Sequence, residues 1–552
     1  MRVRLPSIDR KPLYAPRGVV ATSQPLAASA GLAVLRRGGN AVDAALATAI
    51  ALTVVQPGSN DIGGDLFAIV WDGTRLHGLN GSGRSPAALT LQAAQAAGAG
   101  MAPSAALGGA QATAAQAMPA FGWAPVTVPG APAGWRDLHA RFGALPFADL
   151  FTDAVAYAEH GYPVSPTVAS GWQRAVDRYA QIGALEVAEW ARVYTVGGGR
   201  APRAGELFAN PAAARTLRLI AESKAEEFYH GEIAAAVAAF SEATGGLLAA
   251  EDLSGHTSTW VEPVAVGYRG YEVWELPPNT QGIAALLALG ILDGFDPAGA
   301  GLEQRLHWQI EAVKLGFADA HAYVADPHAA EVPMVALLDP GYVAARRALV
   351  GAEAACPAPG DPARGGTVYL CAADADGMMV SLIQSNYMGF GSFVVVPGSG
   401  FGLQNRGAGF SLEAGHPNAA GPGKRPFHTI IPGFLTRAGQ PVGPFGVMGG
   451  HMQPQGHVQL ITSTVDDELD PQGALGVPRW YWNAGRLVHV EPALLATAEG
   501  EAAVAGLRRR GHQVVVTDEP SFFGYGQAIW HRPGQGYVAG SEPRADGCAV
   551  GF

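Results

Sequence analysis

The chain has 552 residues, 48% of them hydrophobic and 15% charged, which is the composition of a folded globular protein and excludes a disordered one. A formal charge of −11, with no block of Lys or Arg, excludes a nucleic-acid partner, because phosphate binding needs a basic surface. Cys356, Cys371 and Cys548 stand at wide, patternless spacing, which is neither a disulfide framework nor a zinc site.

Length predicts roughly two to four domains or one large layered fold. In chain order, residues 1–18 carry Asp9, Arg10, Lys11 and prolines where an export signal needs an apolar stretch, so a cytoplasmic protein is expected. Residues 24–56 read as two Ala/Leu-rich helical runs broken at Gly38-Gly39-Asn40. The most apolar stretch, Ala44–Val55, is too short to cross a bilayer, so it predicts a buried helix and no membrane partner. "GGDLFAIVWDGTRLHGLNG" (63–81) alternates and turns at Asp72-Gly73, a hairpin signal.

Alanine-rich residues 91–118 predict a surface excursion, and 131–255 return to helical texture. A strand-like stretch at 263–277 is followed by the helical runs 281–295 and 305–324. Small residues and prolines without periodicity mark 351–366 as an exposed loop, and beyond it the texture is mostly strand.

That loop ends in Gly365-Gly366-Thr367. The next run, "TVYLCAADADGMMVSLIQS" (367–385), predicts a hairpin with its tip at Asp374–Gly377. A threonine hydroxyl is a poor nucleophile without a base beside it. Cutting the preceding peptide bond would free an α-amine with a reference pKa of about 7.7–8.0, so a single residue would carry nucleophile and base. Glycines before the threonine would ease the backbone geometry that such a cut demands. Taken alone, the three residues read more simply as a turn entering a strand.

Thr367 with "VYLCAADADGMMVSLIQSNYMGFGS" resembles the nucleophile strand of the γ-glutamyltransferase (γ-glutamyltranspeptidase) family of N-terminal-nucleophile hydrolases. The segments at 18–57, 63–73, 231–253, 268–282 and 421–434 resemble the family in its own order, so the likeness spans about residues 18–540. It implies an α+β fold, a four-layer αββα sandwich. The precursor would be cut between Gly366 and Thr367 into a large fragment, 1–366, and a small one, 367–552, that remain associated, with a homodimer of processed units left open.

The resemblance also implies roles. Ser385 would be the second hydroxyl that bonds the nucleophile, and the backbone N–H groups of Gly449 and Gly450 would form the oxyanion hole. Arg84 would clamp a substrate carboxylate.

Two positions depart from the glutathione-using pattern. The acidic residue that pairs with the substrate α-ammonium is replaced by Gly409, with Arg406 nearby, and a serine pair becomes His428-Thr429, which still donates hydrogen bonds. The loop from Phe410 to Lys424 is also shorter than a lid-bearing one, which predicts a more open site. The expected substrate is a small-molecule amide with an anionic acyl part and no amine, oxamate-like or glutaryl-like, because an ammonium beside Arg406 would lack a partner. The alternatives are a glutathione hydrolase or γ-glutamyl transferase proper, and an uncleaved binding or scaffold relative.

His451 and His457 have no third ligand near them in sequence, and Asp374-x-Asp376-Gly377 lacks the closing glutamate of a calcium loop. "GSGFGLQNRG" (398–407) lacks the order of a dinucleotide fingerprint and no P-loop occurs, so neither metal nor cofactor is expected.

Overall fold

The computed structural model describes residues 10–99, 117–356 and 366–552. Two seven-stranded antiparallel sheets dominate it. The first runs, in spatial order, Cys548–Gly551, Val19–Thr22, Gly366–Ala373, Met379–Tyr387, Asp65–Trp71, Leu76–Gly81 and Thr259–Val261. The second runs Leu13–Ala15, Gly536–Ser541, Tyr525–Arg532, Gln440–Met448, Gly433–Arg437, Tyr271–Glu275 and Val264–Tyr268.

The period-2 alternation of side chains decides how the layers stack. Phe67, Ile69 and Trp71, with Tyr369, Cys371 and Ala373, enter a core shared with Phe434, Met448 and Ile529 of the opposite sheet. Their neighbours Leu66, Ala68, Val70, Val368, Leu370 and Ala372 face the other way, into a core with the helices Pro25–Arg36 and Ala41–Val55. Leu435, Phe445 and Val447 turn outward onto the helices Gly282–Asp293, Leu302–Tyr323 and Met452–Val465. The result is the four-layer αββα sandwich.

The predicted helical break at Gly38–Asn40 is present. Gly38 takes φ +92°, and Asn40 caps the second helix in a capping box with Asp43. The hairpin tip after Thr367 is held by Asp374, whose Oδ1 accepts from the N–H groups of Asp376 and Met378 and whose Oδ2 accepts from that of Ala41, so its carboxylate serves the backbone.

Three expectations need correction. Residues 91–99 form a helix whose Ala94 packs with Met118, Phe410 and Leu412, so this part of the alanine-rich stretch docks on the body; residues 100–116 lie outside the described residues. The chain after Thr367 also contains the helices Met452–Val465 and Ala498–Arg509. The first was illegible because it is buried nearly throughout: its Gln455 and Gln459 donate to the carbonyls of Trp482 and Trp480, so it shows no polar face. In the loop before Thr367, Ala354 is buried and its N–H donates to the carbonyl of Arg510; residues 357–365 lie outside the described residues. Among the described residues, no helix is long and apolar enough to cross a membrane.

Candidate active site

Thr367, Ser385 and Asp65 sit on neighbouring strands of the first sheet and share the parity of Tyr369, Ile383 and Phe67, so all three point toward the opposite sheet. Ser385 lies directly across from Asp65 in the strand register. Thr367 is 1% exposed, and its hydroxyl donates to Ser385 Oγ at 3.1 Å.

Ser385 Oγ also accepts from the Tyr387 N–H at 2.8 Å and from Arg406 Nη2 at 3.0 Å. Tyr387 has φ +80°, in the left-handed region that non-glycine residues rarely enter. The Arg406 guanidinium lies over the Tyr387 ring, 4.3 Å from its centroid, and its Nη1 donates to Thr429 Oγ1 at 2.9 Å. The line is therefore Thr367, Ser385, Arg406, Thr429.

Arg406 is fully buried, and its neighbours fix the turn that carries it. Gln404 Nε2 reaches Asp65 Oδ1 at 2.8 Å, and Asn405 Nδ2 reaches the Ala120 carbonyl at 2.8 Å. The Gly407 N–H donates to the carbonyl of Pro125, which approaches too closely for a Cβ at 407. Burial pushes the Arg406 pKa down to about 10, which still leaves the group a cation at neutral pH. Its Nε has no hydrogen-bond partner among the described residues. At Gly409 a Cβ would stand 2.9 Å from the carbonyl oxygen of Phe427, so the position left without a carboxylate by the sequence also has little room for one.

His428 and Asp65 form a second, fully buried pair. His428 Nδ1 accepts from the Ile430 N–H at 3.3 Å, which places the ring proton on Nε2, donating to Asp65 Oδ2 at 3.0 Å. Desolvation, reinforced by Arg406 and Arg425, holds His428 well below its usual pKa, so the ring is neutral. Desolvation pushes Asp65 up to about 6, against the opposing pull of Arg406.

Gly449 and Gly450 follow the strand Gln440–Met448 and take φ +135° and +62°. Gln281 Nε2 donates to the carbonyls of both Gly450 (2.9 Å) and Thr429 (2.5 Å), tying the glycine pair to the Arg406 line. The pair stands just before the helix Met452–Val465, and its two carbonyls accept from the N–H groups of Met452 and Gln453.

The structure does not bring Arg84 into this line. Its Nη1 pairs with Asp326 Oδ2 at 2.7 Å and donates to the Gly423 carbonyl at 3.0 Å. His457 Nδ1 meets Glu275 Oε1 at 2.6 Å, both fully buried, while the His451 ring packs near Phe317, His321 and Phe427. Among the described residues, one group of ligand-type side chains is close enough to hold a metal ion: His307, Glu311 and His512. There Lys314 Nζ sits 2.7 Å from Glu311 Oε1 and already supplies a positive charge.

Sequence reasoning missed Asp65, Tyr387 and Gln281. Asp65 had a signal, a lone carboxylate heading the otherwise apolar strand "DLFAIVW"; Gln281 and the Tyr387 N–H had none.

Comparison with known proteins gives the family. The chain is 34% identical over 549 residues to the glutathione hydrolase-like YwrD proenzyme of Bacillus subtilis, covering 98% of this chain and 100% of the relative. It is 34% identical over 547 residues to the oxamate amidohydrolase proenzyme of Klebsiella pneumoniae, covering 97% and 98%. The crystal structure of cephalosporin acylase from Bacillus halodurans superposes with a TM-score of 0.91 at 49% identity, over 99% of this chain and 97% of that one. The family model described as gamma-glutamyltranspeptidase matches residues 27–552, so the chain, with its buried hydroxyl pair at the end of an αββα sandwich, belongs to the γ-glutamyltranspeptidase family of N-terminal-nucleophile hydrolases.

Proposed function

We propose that this chain matures by cutting itself between Gly366 and Thr367 and then hydrolyses an amide whose acyl part carries a carboxylate and no α-amine. In maturation, Thr367 Oγ1 attacks the Gly366 carbonyl carbon, the peptide C–N bond breaks as an ester forms, and water hydrolyses the ester to leave a free α-amine on Thr367. In turnover, that amine takes the hydroxyl proton as Oγ1 attacks the substrate carbonyl. The N–H groups of Gly449 and Gly450 stabilise the resulting oxyanion. The amine then passes the proton to the leaving nitrogen, and water releases the acyl group.

The fragments 1–366 and 367–552 would stay together because their strands interleave: Gly366–Ala373 is flanked by Val19–Thr22 and, through Met379–Tyr387, by Asp65–Trp71. The observation that carries the substrate reading is the state of Arg406. It is a fully buried cation with its Nε unpartnered among the described residues, one hydroxyl away from Thr367. The opposing charge, Asp65, directs its hydrogen bonds to Gly83, Gly130, Gln404 and His428. A guanidinium so placed suits a substrate carboxylate, and Gly409 offers nothing to an ammonium.

The names of two relatives, oxamate amidohydrolase and cephalosporin acylase, fit an amide-cleaving role. The test compares oxamate, a glutaryl anilide and a γ-glutamyl anilide on one preparation. At least one anionic amide without an α-amine is expected to exceed the γ-glutamyl anilide in kcat/KM by about tenfold or more. A preference for the γ-glutamyl compound would overturn the assignment of Arg406.

A further inference from the structure

We propose that Asp65 is a positioning residue for this site, holding the line from Arg406 through Ser385 to Thr367 by way of His428; the inference rests on the reading of Thr367 as the nucleophile.

Asp65 heads a strand whose other residues, Leu66–Trp71, are all apolar, and it is 0% exposed. An ionised carboxylate in such a place is expensive unless hydrogen bonds compensate it. The cost is offset locally. Oδ1 accepts from Gly83 N at 2.9 Å, Gly130 N at 3.2 Å and Gln404 Nε2 at 2.8 Å, and Oδ2 accepts from His428 Nε2 at 3.0 Å. Two of these four donors lead to the active site. Gln404 is two residues before Arg406, and His428 directly precedes Thr429, the acceptor for Arg406 Nη1. Asp65 thus grips both segments that hold the guanidinium.

The arrangement also explains why the charge pair is indirect. A bidentate Asp65–Arg406 contact would occupy the fork of the guanidinium, whereas a carboxylate bonded to Gln404 and His428 supplies the counter-charge from a distance and leaves Nε for a ligand. The charged and titratable groups around Asp65 are His428 and Arg406, with Arg425 and Tyr229 behind them. His428 is neutral and Tyr229 protonated near pH 6, so Asp65 is the member of this set whose charge changes there. In the precursor Thr367 has no free amine, so a fall in self-cleavage below about pH 6 does not come from that amine; Asp61, raised to about 7, is a second buried carboxylate that changes charge in this range, and Asp65→Asn separates the two.

The experiment follows self-cleavage of purified full-length precursor as a function of pH, then kcat and KM of the cleaved enzyme on an anionic amide. Asp65→Asn is expected to slow self-cleavage about tenfold or more, to lower kcat, and to remove the wild-type fall in cleavage rate below about pH 6. His428→Phe, which loses the donor to Asp65, is expected to slow cleavage similarly, and His428→Gln, which keeps a side-chain N–H, to recover most of that loss. Wild-type rate and pH profile in Asp65→Asn would overturn the inference. Should that variant fail to fold, His428→Phe cleaving at the wild-type rate would overturn it. Thr367→Ala run in parallel separates the two readings: if Thr367→Ala is still cut at Gly366, the nucleophile assignment fails, whatever Asp65 does.

Discussion

Replacing Ser385 by alanine removes a hydroxyl that has three partners within hydrogen-bond distance: the Thr367 hydroxyl at 3.1 Å, Arg406 Nη2 at 3.0 Å and the Tyr387 N–H at 2.8 Å. All lie in a fully buried setting, so water is poorly placed to replace the lost acceptor. A hydrogen bond involving a charged group contributes about 1.5–3 kcal/mol, and the Arg406 contact belongs to that class. If the line is intact in the transition state, that range corresponds to roughly a ten- to hundredfold slower reaction. Ser385→Thr keeps the oxygen and is expected to retain most of the rate. The assay is the time course of two fragments appearing from purified precursor on a denaturing gel, paired with thermal unfolding to show that the variant is folded. A folded Ser385→Ala precursor that cleaves at the wild-type rate would refute the role given to the hydroxyl pair.

Arg406→Gln is expected to cut kcat/KM on an anionic amide about tenfold or more, while Arg84→Gln, whose parent side chain is committed to Asp326 and Gly423, changes it by less than about threefold; steady-state kinetics on both variants check this. Gly449→Ala forces a Cβ onto a backbone at φ +135°, at a cost of about 1–3 kcal/mol, and should lower kcat more than it raises KM. An unchanged kcat would remove Gly449 from the oxyanion site. Desolvation raises the pKa of buried Asp61 to about 7, so the native state binds a proton there that the unfolded chain has released. Its stabilising contribution is complete below the unfolded pKa near 3.8 and is lost as pH rises through 7. Asp61→Asn is therefore expected to lose less Tm than wild type between pH 5 and pH 8, with the residual slope partly from Asp65.

The sheets were legible where their strands alternate or turn at Asp-Gly, and the hairpin expected over 367–385 is present, running one residue earlier and two residues further than its pattern says. The helix Met452–Val465 was not, because a helix buried on all sides, with glutamines satisfied by backbone carbonyls, carries no amphipathic stripe. In the site, Thr367, Ser385, Arg406 and Thr429 are neighbours through hydrogen bonds, although 62 residues separate the first from the last. Motif likeness singled them out, but only the register of the strands shows that Ser385 stands opposite Asp65. Arg84 shows the reverse case, where a residue type suited to carboxylate binding is already engaged by Asp326. Gln281 joins Thr429 to Gly450 from a distant segment and depends on tertiary packing alone.

The most direct test of the central claim is the N-terminal sequence and intact mass of the fragments in an active preparation. Scission between Gly366 and Thr367 predicts a small fragment that begins Thr367-Val368-Tyr369 and a large fragment that ends at Gly366, with Thr367→Ala remaining a single chain. An active enzyme recovered as one uncut chain, or a fragment beginning at any other residue, would contradict it.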